Sequence, residues 1–113
     1  MINNAQMAQA LNAANVRNAG QAIVHPGIIL RDKFMYPKGL NTASLAALTD
    51  VSEATIESII RGETAINTVL AISLAKPLGV TSVYWCKLQN DLEGSYYWLI
   101  HKNPSNKNSR PTL

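Results

Sequence analysis

His25, His101 and Cys86 are the side chains of this 113-residue chain whose types most often perform acid–base or nucleophilic chemistry. A histidine acts as a general base only when a partner group lies within hydrogen-bonding reach, and a cysteine reacts when a nearby cation lowers the pKa of its thiol. No nucleophile stands at a telling spacing from His25, and Cys86 has no clear basic neighbour in the sequence. Neither metal-ligand spacing nor a glycine-rich phosphate loop is present. The sequence therefore predicts a protein that is not an enzyme, with no catalytic residue, cofactor or metal, and with His25 and Cys86 in structural positions.

Charged residues divide the chain into an acidic middle and basic flanks. The net charge is +3 at pH 7. Residues 40–66 contribute −3, because Arg61 is the one cation there against four carboxylates. Those carboxylates belong to Asp50, Glu53, Glu57 and Glu63. Residues 25–39 contribute +2, residues 102–113 contribute +3, and Arg17 contributes the remaining positive charge. The basic character of the chain therefore lies outside its middle.

The acidic middle has the pattern of two short helices, predicted at about residues 42–49 and 52–61 and joined by a tight turn. Ser52 suits the N-cap of the second helix, and Gly62 suits its end. Apolar or small residues predicted to face inward are Leu45, Ala46, Leu48, Val51, Ile56 and Ile59. This spacing is typical of a helix-turn-helix whose second helix enters the DNA major groove. An ordinary helical hairpin, which buries apolar residues at similar spacing, is the alternative.

Further helices are predicted on both sides of this motif. The first opens at His25-Pro26-Gly27, because the missing N–H of proline needs no partner in the first turn of a helix. A fourth begins after the N-cap Asn67 and stops at Pro77, and a fifth stops at Gly94. Residues 95–100 form a short aromatic, β-capable run. An added strand, a dimer contact and a lid over the core are alternatives for this run.

Both ends of the chain are polar. Residues 1–22, rich in Asn, Ala and Gln, predict a flexible arm with a partial helix, and residues 101–113 predict a basic disordered tail. Residues 23–100 then form one domain, which suits the chain length. One cysteine allows no internal disulfide, and no apolar run is long enough to span a membrane, so we expect a cytoplasmic protein.

Several of these segments together resemble one family, the HigA/VapI group of antitoxins within the phage-repressor-like (XRE) helix-turn-helix class. The resemblance covers about residues 25–92. The matching residues, in order, are His25-Pro26-Gly27, Ile29-Leu30, Gly39-Leu40, the helix-turn-helix, Ala71–Ala75, Leu78-Gly79, Tyr84-Trp85 and Leu88-Gln89. It implies an all-α, compact five-helix lambda-repressor-like DNA-binding domain with flexible N- and C-terminal extensions. It further implies a homodimer that binds the operator palindrome of its own operon in double-stranded DNA and neutralises a HigB-like ribonuclease toxin.

The resemblance also assigns the DNA-binding residues by position. Thr42 and Ser44 would meet phosphates at the start of the first motif helix, and Arg61 would reach a phosphate from the end of the second. The residues implied to face the base edges are Ser52, Glu53, Ala54, Thr55 and Ser58.

The chain departs from the family pattern at several of these positions. Glu53 and Glu57 place two carboxylates on the second motif helix, which opposes the phosphate attraction that supplies much of DNA affinity. A carboxylate also accepts a hydrogen bond from cytosine N4, so Glu53 is a candidate base reader. The alternative function is a protein-binding module of the same fold with weak or lost DNA binding. Its surface would be Val69 and Ile72, or the aromatic run Tyr96-Tyr97-Trp98.

Overall fold

The computed structural model describes residues 2–14 and 22–101. Within these ranges the chain forms six helices and no strand, which confirms the all-α class and adds one helix to the five expected. The helices are α1 (Asn4–Ala13), α2 (Pro26–Ile29, continued by the π-helical segment Leu30–Met35), α3 (Thr42–Thr49), α4 (Glu53–Ile60), α5 (Thr68–Leu78) and α6 (Ser82–His101). Residues 15–21 of the predicted arm and the predicted basic tail, residues 102–113, lie outside the described residues. None of the helices in the described ranges is long and apolar enough to cross a membrane.

The helix α2 begins as its sequence predicts. His25 is the N-cap, with its ring Nδ1 accepting a hydrogen bond of 3.1 Å from the Gly27 N–H, and Pro26 occupies the first helical position. The chain then continues through the π-helical segment, whose hydrogen bonds join residues five positions apart, as in Tyr36 N to Arg31 O at 2.9 Å. Leu30 at the start of this segment is fully buried.

The predicted helix-turn-helix is present as α3 and α4. Asp50 joins the two helices in the left-handed backbone region, with φ of 63°. Asp enters this region more readily than most residues do. The Ser52 hydroxyl caps α4 by accepting from the Thr55 N–H at 3.1 Å. Leu45, Val51, Ile56 and Ile59 are buried, as predicted.

The prediction that Leu48 faces inward is wrong, since this side chain is 54% exposed. Thr49 occupies the inward position instead, one turn after Leu45. Its hydroxyl donates to the Leu45 carbonyl oxygen at 2.7 Å, so the polar atom is satisfied although the residue is buried. A threonine can bond back to its own helix in this way, which the apolar spacing alone does not reveal.

The helices α5 and α6 close the main apolar cluster. Asn67 caps α5 through the Leu70 N–H at 2.9 Å, and the helix ends one residue after Pro77, as predicted. Trp85 of α6 is fully buried and lies 5.2 Å from the Phe34 ring, centroid to centroid. Beyond these residues, the buried cluster contains Leu30, Met35, Leu45, Val51, Ile56, Ile59, Ile66, Ala71, Leu74, Ala75 and Leu78.

The prediction that Gly94 ends the last helix is wrong. The helix α6 runs for 20 residues to His101, so residues 95–100 are helical and the added-strand alternative is also wrong. A glycine inside a helix costs only about 1 kcal/mol, which packing elsewhere along the helix outweighs. That packing comes from Leu92, which belongs to a second apolar cluster, and from Tyr96 and Leu99, which pack against that cluster. Trp98 in the same stretch is 50% exposed.

The partial helix predicted within residues 1–22 is present as α1, residues 4–13, and it packs against α6. Asn3 and Gln6 form a capping box, with two hydrogen bonds of 2.9 Å between the side chain of one and the backbone N–H of the other. Met7, Ala8 and Leu11 are buried and form the second apolar cluster with Leu92 of α6.

Candidate nucleic-acid interface

The helix α4 has one buried face and one exposed face. Ile56 and Ile59 are fully buried in the main cluster, which fixes the rotation of the helix about its axis. Glu53, Ala54 and Glu57 are consequently exposed. The helical spacing of the apolar residues predicts the buried face of α4, and the residues between them then lie on the exposed face.

The hydroxyl groups predicted to face DNA already take part in intramolecular hydrogen bonds. The Ser52 hydroxyl donates to Thr55 Oγ1 at 2.8 Å while it caps the helix. The Ser58 hydroxyl pairs with Thr64 Oγ1 at 2.7 Å, beyond the end of α4. These bonds hold the side chains in one orientation. Because Thr55 Oγ1 is the acceptor in its bond with Ser52, that bond does not use the Thr55 hydroxyl proton.

The exposed charges of α4 are mainly negative. Glu53 and Glu57 are exposed, and neither has an ion-pair partner among the described residues. Arg61 pairs with Glu63 at 3.2 Å, with the two side chains 55% and 52% exposed. An exposed pair of this kind contributes about 0–1 kcal/mol, so a phosphate can replace the Glu63 carboxylate at little cost.

The start of α3 provides the second group of predicted contacts. Asn41 caps the helix, since its side-chain oxygen accepts from both the backbone N–H and the hydroxyl of Ser44 at 2.8 Å. Thr42, the first residue of the helix, is half-buried. A helix N-terminus carries free N–H groups and a partial positive charge, which suit a phosphate oxygen.

Two lysines of the α2–α3 region are exposed and lack an ion pair among the described residues, Lys33 and Lys38. By contrast, Arg31 pairs with Asp32 at 2.8 Å. The structure therefore leaves the basic groups of residues 25–39 partly available to an anionic partner.

His25 has the structural role predicted for it. It is 6% exposed, and burial followed by the nearby Arg31 charge lowers the pKa of its imidazole. The neutral ring is the form that accepts the Gly27 N–H through Nδ1. Gly27 itself lies directly against α4, because a Cβ there would overlap the Ile59 carbonyl oxygen. The start of α2 thus holds the last turn of α4.

A further contact at the end of α4 was not predicted from the sequence. The Ala5 N–H of α1 donates to the Gly62 carbonyl oxygen at 3.1 Å. The side chains of Asn4 and Gln89 also form a buried pair nearby. Nothing local in the sequence indicates this contact, because its two sides lie far apart along the chain.

The helix-turn-helix and its surroundings match known proteins. A family model described as a helix-turn-helix matches residues 30–85. Virulence-associated protein I of Dichelobacter nodosus is 33% identical over 66 residues, which are 58% of this chain and 61% of that protein. The chain thus matches less than two thirds of the length of that relative.

Solved structures match over more of the chain. The Pseudomonas aeruginosa antitoxin HigA, determined with the higBA promoter, has a TM-score of 0.71 and 28% identity over 80% of this chain and 98% of its own. A Pseudomonas aeruginosa protein in complex with its 18-base-pair operator DNA has a TM-score of 0.72 and 26% identity. That match covers 83% of this chain and 100% of the other.

Proposed function

Since this chain belongs to the HigA/VapI-type antitoxin group of the phage-repressor-like helix-turn-helix family, we propose that it is a sequence-specific DNA-binding repressor of its own operon. The proposal includes a homodimer on an operator palindrome, a cytoplasmic location and neutralisation of a HigB-like ribonuclease toxin. One observation carries the DNA-binding part. The helix α4 buries Ile56 and Ile59 and presents its other face to solvent, within a fold that matches proteins solved with operator DNA.

We assign base reading chiefly to the first turn of α4. Glu53 is exposed and accepts hydrogen bonds only, so it suits the cytosine N4 amino group in the major groove. Ala54 suits the thymine methyl group. Thr55 retains a hydroxyl proton for an acceptor on DNA, whereas the hydroxyls of Ser52 and Ser58 chiefly hold the local structure.

Phosphate contacts are assigned to the residues that flank this turn. Thr42 and Ser44 would bind a phosphate at the start of α3, and Arg61 would exchange its partner Glu63 for a phosphate. The two carboxylates of α4 weaken attraction to any DNA, whatever its sequence. We therefore expect modest non-specific affinity and a preference that depends on base contacts.

The dimer follows from the proposed palindrome. Two copies of α4 must lie about 34 Å apart to read two half-sites one helical turn apart. Palindromic DNA then mirrors the two-fold symmetry of the protein.

The experiment is binding of the purified full chain to its own promoter DNA across a salt series, with an unrelated duplex of equal length as the control. We expect a preference for the promoter, with log K falling by about 0.9 per phosphate contact for each tenfold rise in salt. Equal binding to both duplexes, or no binding at low salt, would refute the proposed repressor function.

Toxin neutralisation has its own test. If a small ribonuclease-like gene adjoins the gene of this chain, expression of that gene alone should arrest growth, and co-expression with this chain should restore it. Co-purification of the two proteins would support direct binding. Growth arrest that persists despite equal expression of this chain would contradict neutralisation and leave the DNA-binding proposal intact.

A protein-binding module of the same fold is the second candidate function. Val69 and Ile72, one turn apart on α5, are 70% and 60% exposed, so together they form a small apolar patch on the surface. The negative charge of α4 also favours this candidate. If the promoter experiment fails, Ile72→Ser should weaken binding to the protein partner and leave the fold unchanged.

A further inference from the structure

We propose that α1 is a positioning element for the recognition helix α4, and that operator affinity depends on the docking of α1. The inference rests on the proposed DNA-binding function. It concerns a helix outside the residues 30–85 that the family model matches.

The first contact joins α1 to the end of α4. Ala5 is the second residue of α1, so its N–H has no acceptor within its own helix. It donates instead to the carbonyl oxygen of Gly62 at 3.1 Å. The approach is close, since a Cβ on Gly62 would lie 2.7 Å from Ala5 Cβ and 2.8 Å from His25 Nε2. Gly62 also has φ of +80°, so glycine suits this position for both its backbone and its size.

The second contact joins α1, α6 and the segment after α4 through one side chain. Gln89 of α6 is 4% exposed. Its Oε1 accepts from Asn4 Nδ2 at 2.8 Å and from the Ile66 N–H at 2.9 Å. Its Nε2 donates to Asn4 Oδ1 and to Glu93 Oε2, both at 2.8 Å. All four hydrogen-bonding positions of this amide are therefore occupied, and loss of Asn4 would leave two of them unpaired.

The apolar contacts of α1 form a cluster of their own. Met7, Ala8 and Leu11 are buried with Leu92, separately from the cluster that contains Ile56 and Ile59. A small separate cluster can open without disruption of the main core, as in local unfolding. Undocking of α1 is thus distinct from unfolding of the helix-turn-helix.

These contacts restrain the C-terminal end of α4 through α1 and α6, two helices outside the helix-turn-helix. The start of α2 contacts the last turn at Ile59, and α1 holds Gly62 and, through Gln89, Ile66. When α1 undocks, its contact with Gly62 is lost, and the C-terminal end of α4, which carries the proposed phosphate contact Arg61, gains freedom. Binding sites need their residues held to about 0.5 Å, so this freedom lowers affinity.

The test uses full-length variants that weaken the docking of α1 by different routes. Leu11→Ala removes the apolar contact, and Asn4→Ala removes the Gln89 pair. Ala5→Pro removes the N–H donor to Gly62 and places the pyrrolidine ring against the Gly62 carbonyl oxygen, at a position in the first turn of α1. Gln9→Ala, at an exposed position of the same helix, is the matched control, and Leu11→Met is the conservative variant that should retain affinity.

Operator affinity is measured by fluorescence anisotropy, and docking of α1 by amide hydrogen exchange over residues 8–13. We expect the three docking variants to lose exchange protection in α1 and to bind operator about tenfold more weakly, as for linked sites in general. Gln9→Ala and Leu11→Met should match the unmodified protein in both measurements.

A distance measurement separates positioning from mere packing. Spin labels are placed at Glu57→Cys on α4 and Asn90→Cys on α6, in a Cys86→Ala background and without DNA. We expect the label distance distribution to broaden when α1 undocks. Loss of α1 protection with an unchanged distribution and unchanged operator affinity would overturn the proposal. If the unmodified protein binds no operator, the proposed function fails, while the label distances still decide whether α1 positions α4.

Discussion

The helices α4 and α1 are of similar length, and α1 contacts Gly62 just after the end of α4, yet the structure holds the two helices differently. The helix α4, eight residues long, packs through Ile56 and Ile59 into the main apolar cluster. The α2 region, α3, α5 and α6 also contribute residues to that cluster. The ten residues of α1 rest on a small cluster beside α6 and on the buried amide pair of Asn4 and Gln89. The contrast indicates that the main cluster determines the fold, whereas α1 adjusts the position of a helix that the fold already contains.

The largest expected effect is a loss of stability when a residue on the buried face of α4 is substituted. Ile56→Ala should lower the free energy of unfolding by about 2–5 kcal/mol, because the fully buried side chain leaves a cavity. Chemical denaturation measures the change. Leu48→Ala on the exposed side of α3 is the control and should change stability by about 0.5 kcal/mol or less. Equal effects of the two substitutions would contradict the buried face assigned to the motif.

The next effect concerns the exposed side of the same helix. Glu53→Gln should shift the preferred base from cytosine toward adenine, because glutamine both donates to and accepts from adenine; a good pair contributes about 1–3 kcal/mol of discrimination. Selection of bound duplexes from a pool randomised at the half-sites measures the preference. Glu57→Gln removes the same charge one turn later and should leave the preference unchanged. A cytosine preference retained by the Glu53 variant would show that another residue reads this base.

A smaller effect is expected from the apolar side of α1. Leu11→Ala should lower global stability by about 2 kcal/mol or less, because α1 can undock before the main cluster unfolds. Chemical denaturation of the full chain measures this loss of stability. A loss as large as that of Ile56→Ala would mean that the two clusters unfold as one and that the contrast between the helices is false.

The smallest effect concerns His25, which lies where α2, α4 and α1 meet. Its lowered pKa means that below its ordinary value of about 6.5 the unfolded chain binds a proton that the folded chain does not. The free energy of unfolding should therefore fall as the pH drops through 6.5 and below. Above that pH, His25 should contribute no pH dependence. Denaturation midpoints between pH 5 and 8 measure the slope. His25→Asn should flatten the slope, because the side chain that takes up the proton in the unfolded chain is removed.

The parts of the fold that the sequence predicts are those whose partners are near in the chain. Ser52 caps a helix three residues away, and Leu45, Val51 and Ile56 follow the spacing of two joined helices. Leu48 was misplaced because Thr49, a residue that pattern analysis treats as polar, takes the inward position through a local hydrogen bond.

The docking of α1 could not be predicted in this way. Its buried polar pair joins residues 85 positions apart, and neither Asn4 nor Gln89 differs in local pattern from an exposed amide. The same reason explains the extent of α6, because Gly94 ends a helix only when no distant packing favours its continuation. The DNA contacts assigned to Thr42, Ser44 and Arg61 remain predictions, since they depend on a partner molecule as well as on the chain.

The two tryptophans give this protein an internal pair of optical reporters. Trp85 is fully buried in the main cluster, whereas Trp98 near the end of α6 is 50% exposed. Their fluorescence should differ in emission maximum and in access to a collisional quencher. A Trp98→Phe protein would then report the main cluster through one emitter, without an added dye, and a Trp85→Phe protein would report the distal part of α6.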